Sequence, residues 1–272
     1  MNITILKFFI LNFSFFILTT PSVLGQNWKL YKKNAALDCL AFTTDNLHNI
    51  YITTSKNELL KYNEDGSFDA RFVNIKMGKL GVFDATNPFK LLVYYPDFQT
   101  IQLLDKELNS LGSFNLNDLN VIRVGAVTMS DDGNVWVYDA GNNKLLKISG
   151  TGSNVKQSES AVVPFAGSTP TQMLFKDNFL FVNIPAKGVY QFDRFGKFVK
   201  MLDIKNISYF QVIDNQLFYR QKDIISRFHL QTLKTVVVKM PEGVTGKEPL
   251  RLEKNWLFTQ QGKTIFVHEQ VQ

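Results

Sequence analysis

A short apolar signature recurs six times along the chain at a nearly constant interval. Its members are Asn49-Ile50-Tyr51, Leu91-Leu92-Val93, Asn134-Val135-Trp136, Phe179-Leu180-Phe181, Gln216-Leu217-Phe218 and Trp256-Leu257-Phe258. The third residues stand at 51, 93, 136, 181, 218 and 258, so the intervals are 42, 43, 45, 37 and 40 residues. Such a period constrains the fold more than composition does. A unit of this size cannot bury its apolar surface alone, so successive copies must stack on one another.

Residues 38–72 show what one unit contains. A first strand is expected over Asp38–Thr43, a turn over Asp45–Asn49 and a second strand over Ile50–Thr54. A turn at Ser55–Asn57 leads into Glu58–Tyr62, and Asp65-Gly66 turns the chain into Ser67–Phe72. Short alternating runs of β-branched and aromatic residues between Gly, Asn and Asp turns are the mark of consecutive antiparallel strands. A turn glycine is expected to open the fourth strand at Gly66-Ser67-Phe68, Gly112-Ser113-Phe114 and Gly196-Lys197-Phe198, since glycine accepts the positive φ of a hairpin turn.

Four strands per unit and six units describe an all-β, six-bladed β-propeller. The blades fall at approximately 36–75, 80–117, 121–163, 168–205, 207–240 and 247–272. The last unit is short: after Trp256-Leu257-Phe258 only Thr264–Glu269 remains as strand, while a spare strand stands at Trp28–Lys33. Residues 27–34 are therefore expected to complete the sixth blade and close the ring, removing exposed sheet edges. A β-sandwich or a solenoid would leave these complementary short ends without an explanation.

The first 25 residues read as a signal peptide outside the folded domain of 26–272. Lys7 precedes an apolar run from Phe8 to Leu18, and Val23 and Gly25 stand at −3 and −1 of a cut before Gln26, as a signal peptidase prefers. The run is 11 residues long and contains Asn12 and Ser14, whereas a membrane span needs about 20 apolar residues. An exported chain, periplasmic or secreted, is the expectation, with no transmembrane span in the mature protein and a monomeric propeller.

Charge and cysteine content narrow the partners. The formal net charge is +6, or 6 − 1 = +5 without Lys7, and no run of five Lys/Arg occurs. A nucleic-acid binder concentrates its basic residues in a stripe, so nucleic acid is not an expected partner. The single cysteine, Cys39, has no internal partner for a disulfide and is expected to be a buried structural thiol.

Residues 131–148, Asp-Asp-Gly-Asn-Val-Trp-Val-Tyr-Asp-Ala-Gly-Asn-Asn-Lys-Leu-Leu-Lys-Ile, resemble the NHL repeat: a turn ending in Gly-Asn, a strand, Asp and Asn in the next turn, then another strand. Residues 45–62 resemble it more loosely through Asn49-Ile50-Tyr51-Ile52 and Asn57. The resemblance implies an NHL-like or TolB-like six-bladed propeller. Those folds host scaffolds, receptors, lactonases and lyases, so the fold does not select among them.

Catalytic motifs are sparse. No Gly-x-Ser-x-Gly elbow, Walker loop or His-Glu-x-x-His motif occurs. His48, His229 and His268 are expected on one end of the ring but too far apart to share a metal. Asp131-Asp132-Gly133-Asn134 reads as a β-turn, because calcium-loop spacing is absent. No metal and no cofactor is assigned. The loops between second and third strands share one face, the expected binding face. They carry Tyr95, Asp97 and Phe98, then Asp139, Asn142 and Asn143, then Pro185 and Lys187, then Arg220 and Lys222. Exposed aromatic groups there would mark a contact site. A non-enzymatic binding or scaffold propeller, recognising a protein or cell-envelope component, is the leading expectation. The alternative, implied by the resemblance, is a lactonase-like metal-dependent hydrolase or lyase using the central channel.

Overall fold

The computed structural model describes residues 27–34, 38–157, 165 and 167–271; the expected signal peptide lies outside them. Strand β1 (Asn27–Asn34) comes first and is used last. The first blade is β2 (Ala41–Thr44), β3 (Ile50–Thr53), β4 (Glu58–Tyr62) and β5 (Phe68–Val73). The second is β6 (Val82–Asp84), β7 (Leu91–Tyr95), β8 (Thr100–Leu104) and β9 (Ser110–Asn115). The third is β10 (Val124–Met129), β11 (Val135–Asp139), β12 (Lys144–Ile148) and β13 (Val155–Gln157). The fourth is β14 (Gln172–Lys176), β15 (Phe179–Ile184), β16 (Gly188–Asp193) and β17 (Phe198–Leu202). The fifth is β18 (Tyr209–Ile213), β19 (Gln216–Gln221), β20 (Ile224–His229) and β21 (Thr235–Val237). The sixth consists of β22 (Leu250–Glu253), β23 (Trp256–Gln261) and β24 (Thr264–Val271), completed by β1 in the order β1-β24-β23-β22.

Each blade is a four-stranded antiparallel sheet with its first strand innermost, and the marker residues Tyr51, Val93, Trp136, Phe181, Phe218 and Phe258 all lie on second strands. Closure runs through an eight-residue strand with Asn27 opposite Val271 and Lys33 opposite Phe266, interrupted by a bulge between Leu30 and Lys32. Trp28 of this strand also donates from Nε1 to the Lys239 carbonyl at 2.8 Å, tying the closing strand to blade five.

The core is not one body but six interfaces. Leu92 and Tyr94 pack toward Val127 and Val137 of blade three, while Leu91, Val93 and Tyr95 on the other side of the same strand pack against Tyr51 and Leu59 of blade one. Successive side chains of a strand point to opposite faces, and in a propeller both faces meet another blade. The inner strands therefore read as continuous apolar runs such as Leu91–Tyr95, buried throughout, rather than the alternating runs expected from sequence. Blades three and four meet over Trp136, Tyr138, Phe175 and Tyr190, with Phe165 packed at a tilt between Tyr138 and Tyr190 at centroid distances of 5.2 and 5.1 Å.

Two local expectations are corrected. The first strand of blade one starts at Ala41, not Asp38, because the Asp38 carboxylate is turned onto the Ser55 hydroxyl at 2.6 Å. Gly66 and Gly196 do sit in hairpin turns with φ of 76° and 82°, but Gly112 lies inside β9 at a bulge opposite Leu103 and Leu104. The turn before it is made by Leu108 at φ 64°, with Asp105 Oδ1 accepting from the Glu107 and Asn109 amides at 2.9 and 2.8 Å.

Candidate functional site

Antiparallel order places the loops between second and third strands, and the links from one blade to the next, on the same face of the ring. Across blades one to three these loops form one hydrogen-bonded band. Asn57 donates from Nδ2 to the Gly78 carbonyl and accepts from the Leu80 amide, both at 2.8 Å. Asp97 accepts the Lys79 amide at 2.9 Å. Gly78, at φ 76°, passes so close that a Cβ would stand 2.5 Å from the Asp97 carboxylate, so only glycine lets these two loops meet. Further round, Gln99 reaches Asn117 at 2.7 Å, its carbonyl accepts the Leu116 amide at 2.8 Å, and Asn115 donates to the Phe98 carbonyl at 2.9 Å.

Asp139 anchors the end of this band and is fully buried. It accepts the Ile122 amide at 3.1 Å, the Arg123 amide at 3.1 Å, the Gly141 amide at 2.9 Å and the Asn142 side chain at 2.7 Å. Burial pushes its carboxyl up, but the Arg123, Ile122 and Gly141 amides and the Asn142 side chain outweigh that and hold it below the usual range. This is a structural carboxylate that positions a loop.

The band displays apolar side chains. Ile75 is 81% exposed, Phe98 52% and Ile122 63%. Beside Phe98 lies a groove of about 540 Å³ lined by Met77, Phe98, Phe114 and Leu119, with Thr100, Ser113 and Asp118 among its polar edges.

The residues expected on this face separate into two groups. Phe98, Asp97, Asn142 and Lys222 are exposed, and Lys187 is partly so. Tyr95 is not at the surface: it is the last residue of β7, 1% exposed, and belongs to the interface with blade one. Asp139 is likewise internal. Asn143 turns with φ 53° and accepts from the Tyr138 hydroxyl at 3.2 Å and the Gly167 amide at 3.1 Å. Arg220 is directed at the neighbouring link, donating to the Glu248 carbonyl at 2.5 Å and the Lys247 carbonyl at 3.4 Å. Ile75 and Ile122 were not singled out from sequence. Nothing in an apolar residue between two strands shows whether it faces water or a blade.

The central channel is the second candidate. Its cavity measures about 770 Å³ and is lined from all six blades, by Thr44 and Asp45, Asp84, Gly125, Gln172 and Lys176, Tyr209 and Gln211, Arg251 and Glu253 among others. Side chains clip neighbouring inner strands together around it. Asp84 accepts from the Thr128 hydroxyl at 2.6 Å and the Met129 amide at 2.8 Å. Gln172 both donates to and accepts from Phe210 at 2.8 and 3.1 Å, and Gln211 does the same with Leu252 at 3.0 and 2.8 Å. Thr44 donates to Glu253 across the closing seam at 2.7 Å.

The histidines do not converge. His48 pairs with Glu64 at 3.1 Å, His229 accepts from the amides of Gln231 and Thr232 at 3.3 and 3.2 Å, and His268 is buried in β24. Among the described residues no three His, Cys, Asp or Glu side chains are grouped so as to hold a metal. Asp131–Asn134 forms a turn in which Asp132 accepts the Asn134 amide at 3.2 Å and pairs with Lys147 at 2.7 Å. Cys39 is free and half-buried, and burial raises its thiol to about 11.

Six four-stranded blades around a polar channel define a six-bladed β-propeller. Solved structures of similar shape include a streptogramin B lyase, with TM-score 0.60 and 14% identity over 90% of this chain and 88% of that one. A catalytically inactive virginiamycin B lyase from Staphylococcus aureus with quinupristin gives 0.62 and 14% over 90% and 100%. The WD40 domain of Pan2 from Neurospora crassa gives 0.61 and 11% over 91% and 97%. At these identities the likeness is one of fold. No protein-family model matches the chain, and no curated protein matches it. No helix among the described residues is long and apolar enough to cross a membrane.

Proposed function

We propose that this protein is an exported, NHL-like or TolB-like binding propeller that docks a protein or cell-envelope component on the loop face of blades one to three. The observation that carries the reading is the exposure of Ile75, Phe98 and Ile122 on loops fixed by hydrogen bonds, with a groove beside Phe98. Apolar groups held rigidly in water are contact groups in waiting, and a preorganised surface loses little entropy on docking. Export rests on the leader-like residues 1–25, and the NHL-like assignment on residues 131–148.

The test is capture of partners from an envelope extract by the tagged full-length chain. Phe98→Ala with Ile122→Asp should lose the captured species, while Lys144→Ala, on the same face of blade three, should keep it. Capture unchanged by the double variant, with its fold intact by circular dichroism, would reject this face.

A second reading, a hydrolase or lyase working in the channel, draws on the carboxylate, amide and guanidinium groups that line it. Two of its carboxylates are already engaged. Asp45 accepts from the Leu47 and Asn49 amides, the Asn49 side chain and the Tyr51 hydroxyl at 2.8–3.0 Å, and Asp84 holds blade three. Their lone pairs serve the fold, which favours the binding reading. Turnover of a lactone panel with divalent cations would reverse that preference.

A further inference from the structure

The rim of the ring divides its charge unevenly between blades. The outer half of a blade is its third and fourth strands with the turn that joins them. In blades three to six these stretches are 144–157, 188–202, 224–237 and, for the closing blade, 264–271 with 27–34. Together they hold eleven Lys/Arg against two acids, Asp193 and Glu269, a balance of 11 − 2 = +9. The same stretches of blades one and two, 58–73 and 100–115, hold three Lys/Arg against six Asp/Glu, or 3 − 6 = −3. The inner strands and loops of blades three to six, 124–143, 167–187, 203–223 and 238–263, carry ten Lys/Arg and ten Asp/Glu. The rest of these blades therefore does not cancel the rim.

Ion pairing follows the same division. On blades one and two all three rim cations are paired, Lys61 with Asp69, Arg71 with Glu58 and Lys106 with Glu107. Among the described residues only one of the eleven on blades three to six has a carboxylate partner, Lys147 with Asp132 at 2.7 Å. Lys156, Arg194, Lys197 and Lys234 are exposed on three neighbouring blades. Lysines on edge strands discourage pairing with other chains, but acids serve blades one and two as well, so that role gives no reason for an excess of one sign. No run of five Lys/Arg marks the stripe in the sequence. It forms because the ring sets equivalent strands of successive blades side by side.

We propose that the rim of blades three to six binds a linear acidic polysaccharide, which follows the outer strands from blade to blade. Charge complementarity sets the sign of the partner. The curvature of the rim sets its form: four consecutive blades of six bend round the ring, so a flat bilayer meets only part of the stripe, whereas a flexible chain follows all of it. Nine of the eleven cations are lysines. Lysine is a compact point charge without a fixed fork, which suits acid groups spaced along a polymer. The choice of a glycan over nucleic acid rests on the export proposed above; the basic rim itself does not. The rim is also separate from the loop face of blades one to three, so either surface can fail without the other.

The test titrates the full chain into fluorescein-labelled polygalacturonate and follows anisotropy. Neutral dextran, a single-stranded DNA oligonucleotide and anionic phospholipid vesicles are separate arms. Saturable binding to polygalacturonate is expected, falling steeply with added salt as counterions are released, with none to dextran. Joint replacement Lys156→Glu, Lys197→Glu and Lys234→Glu should weaken it about tenfold or more. Lys197→Glu alone and Lys106→Glu alone change the net charge equally, but only the first lies on the basic rim and only the first should weaken binding. Absence of saturable binding at low salt, or equal weakening by Lys106→Glu, would overturn the rim as the site. Tighter binding to DNA that the rim variants still weaken would overturn the glycan and, with it, the export reading. Preference for vesicles would overturn the polymer. If the triple variant fails to fold, the same three positions changed to Gln decide.

Discussion

The Thr44 hydroxyl and the Glu253 carboxyl meet at 2.7 Å across the seam between the first and the last blade. Burial raises the Glu253 pKa to about 7 from an ordinary 4.5, against the pull of Thr44 and Arg251. The native protein therefore binds this proton more tightly than the unfolded chain does. Stability from this group is complete below about pH 4.5 and is lost as pH rises through about 7. Glu253→Gln keeps an acceptor for Thr44 and removes the titration. The variant should gain on the order of 1–2 kcal/mol relative to wild type between pH 5 and pH 8, read from urea denaturation at each pH. His268, whose pKa is lowered by burial, trends the opposite way over part of this range, so the difference between the two proteins is the quantity to follow. A difference constant with pH would show that Glu253 does not titrate there.

Gln211 makes two bonds to the backbone of Leu252, and all these groups are buried. Gln211→Ala strands a buried N–H and a buried carbonyl at the junction of blades five and six. A loss of about 2–4 kcal/mol is expected, measured by chemical denaturation. A loss under about 0.5 kcal/mol would mean that water replaces the clip.

Asp139 holds five donors at the end of the loop band. Asp139→Ala should destabilise the protein by about 2–3 kcal/mol. It should also free the amides of Ile122 and Arg123 for hydrogen exchange before the strands of blade three open. Unchanged protection at those two amides would contradict the anchoring role.

Removing residues 27–34 takes away the outer strand of blade six and leaves β24 as a bare edge. Exposed edges pair with other chains. The truncated protein should elute as larger species than its parent by size-exclusion chromatography. A monodisperse monomer after truncation would show that β1 is dispensable for capping the blade.

The fold was legible because its signal is repeated. Tyr51, Val93, Trp136, Phe181, Phe218 and Phe258 occupy the same place in six blades, so errors in any one unit average out. The short last blade pointed to β1 for the same reason. The site was far less legible. Tyr95 and Phe98 are aromatic neighbours of one proline, yet one is interior and the other is surface. The difference is only that Tyr95 ends a strand whose faces both meet blades. Gly112 resembled the hairpin glycines in its following Ser-Phe, but its strand starts two residues earlier. The channel was invisible to the eye on sequence, because Thr44, Gln172, Tyr209, Arg251 and Glu253 come from four different blades and share no motif.

The pairing of Asn27 with Val271 also sets a timetable. The first strand of the propeller to leave the ribosome has no partner until the last one appears. Bringing those ends together closes a loop of 271 − 27 = 244 residues, an entropic penalty of about 5 kcal/mol by chain statistics. The intervening blades must stack first and shrink that distance before closure becomes cheap. Until then both the waiting β1 and the open edge of β24 are unpaired, so the newly made chain is most vulnerable to neighbours and proteases just after β24 has been made.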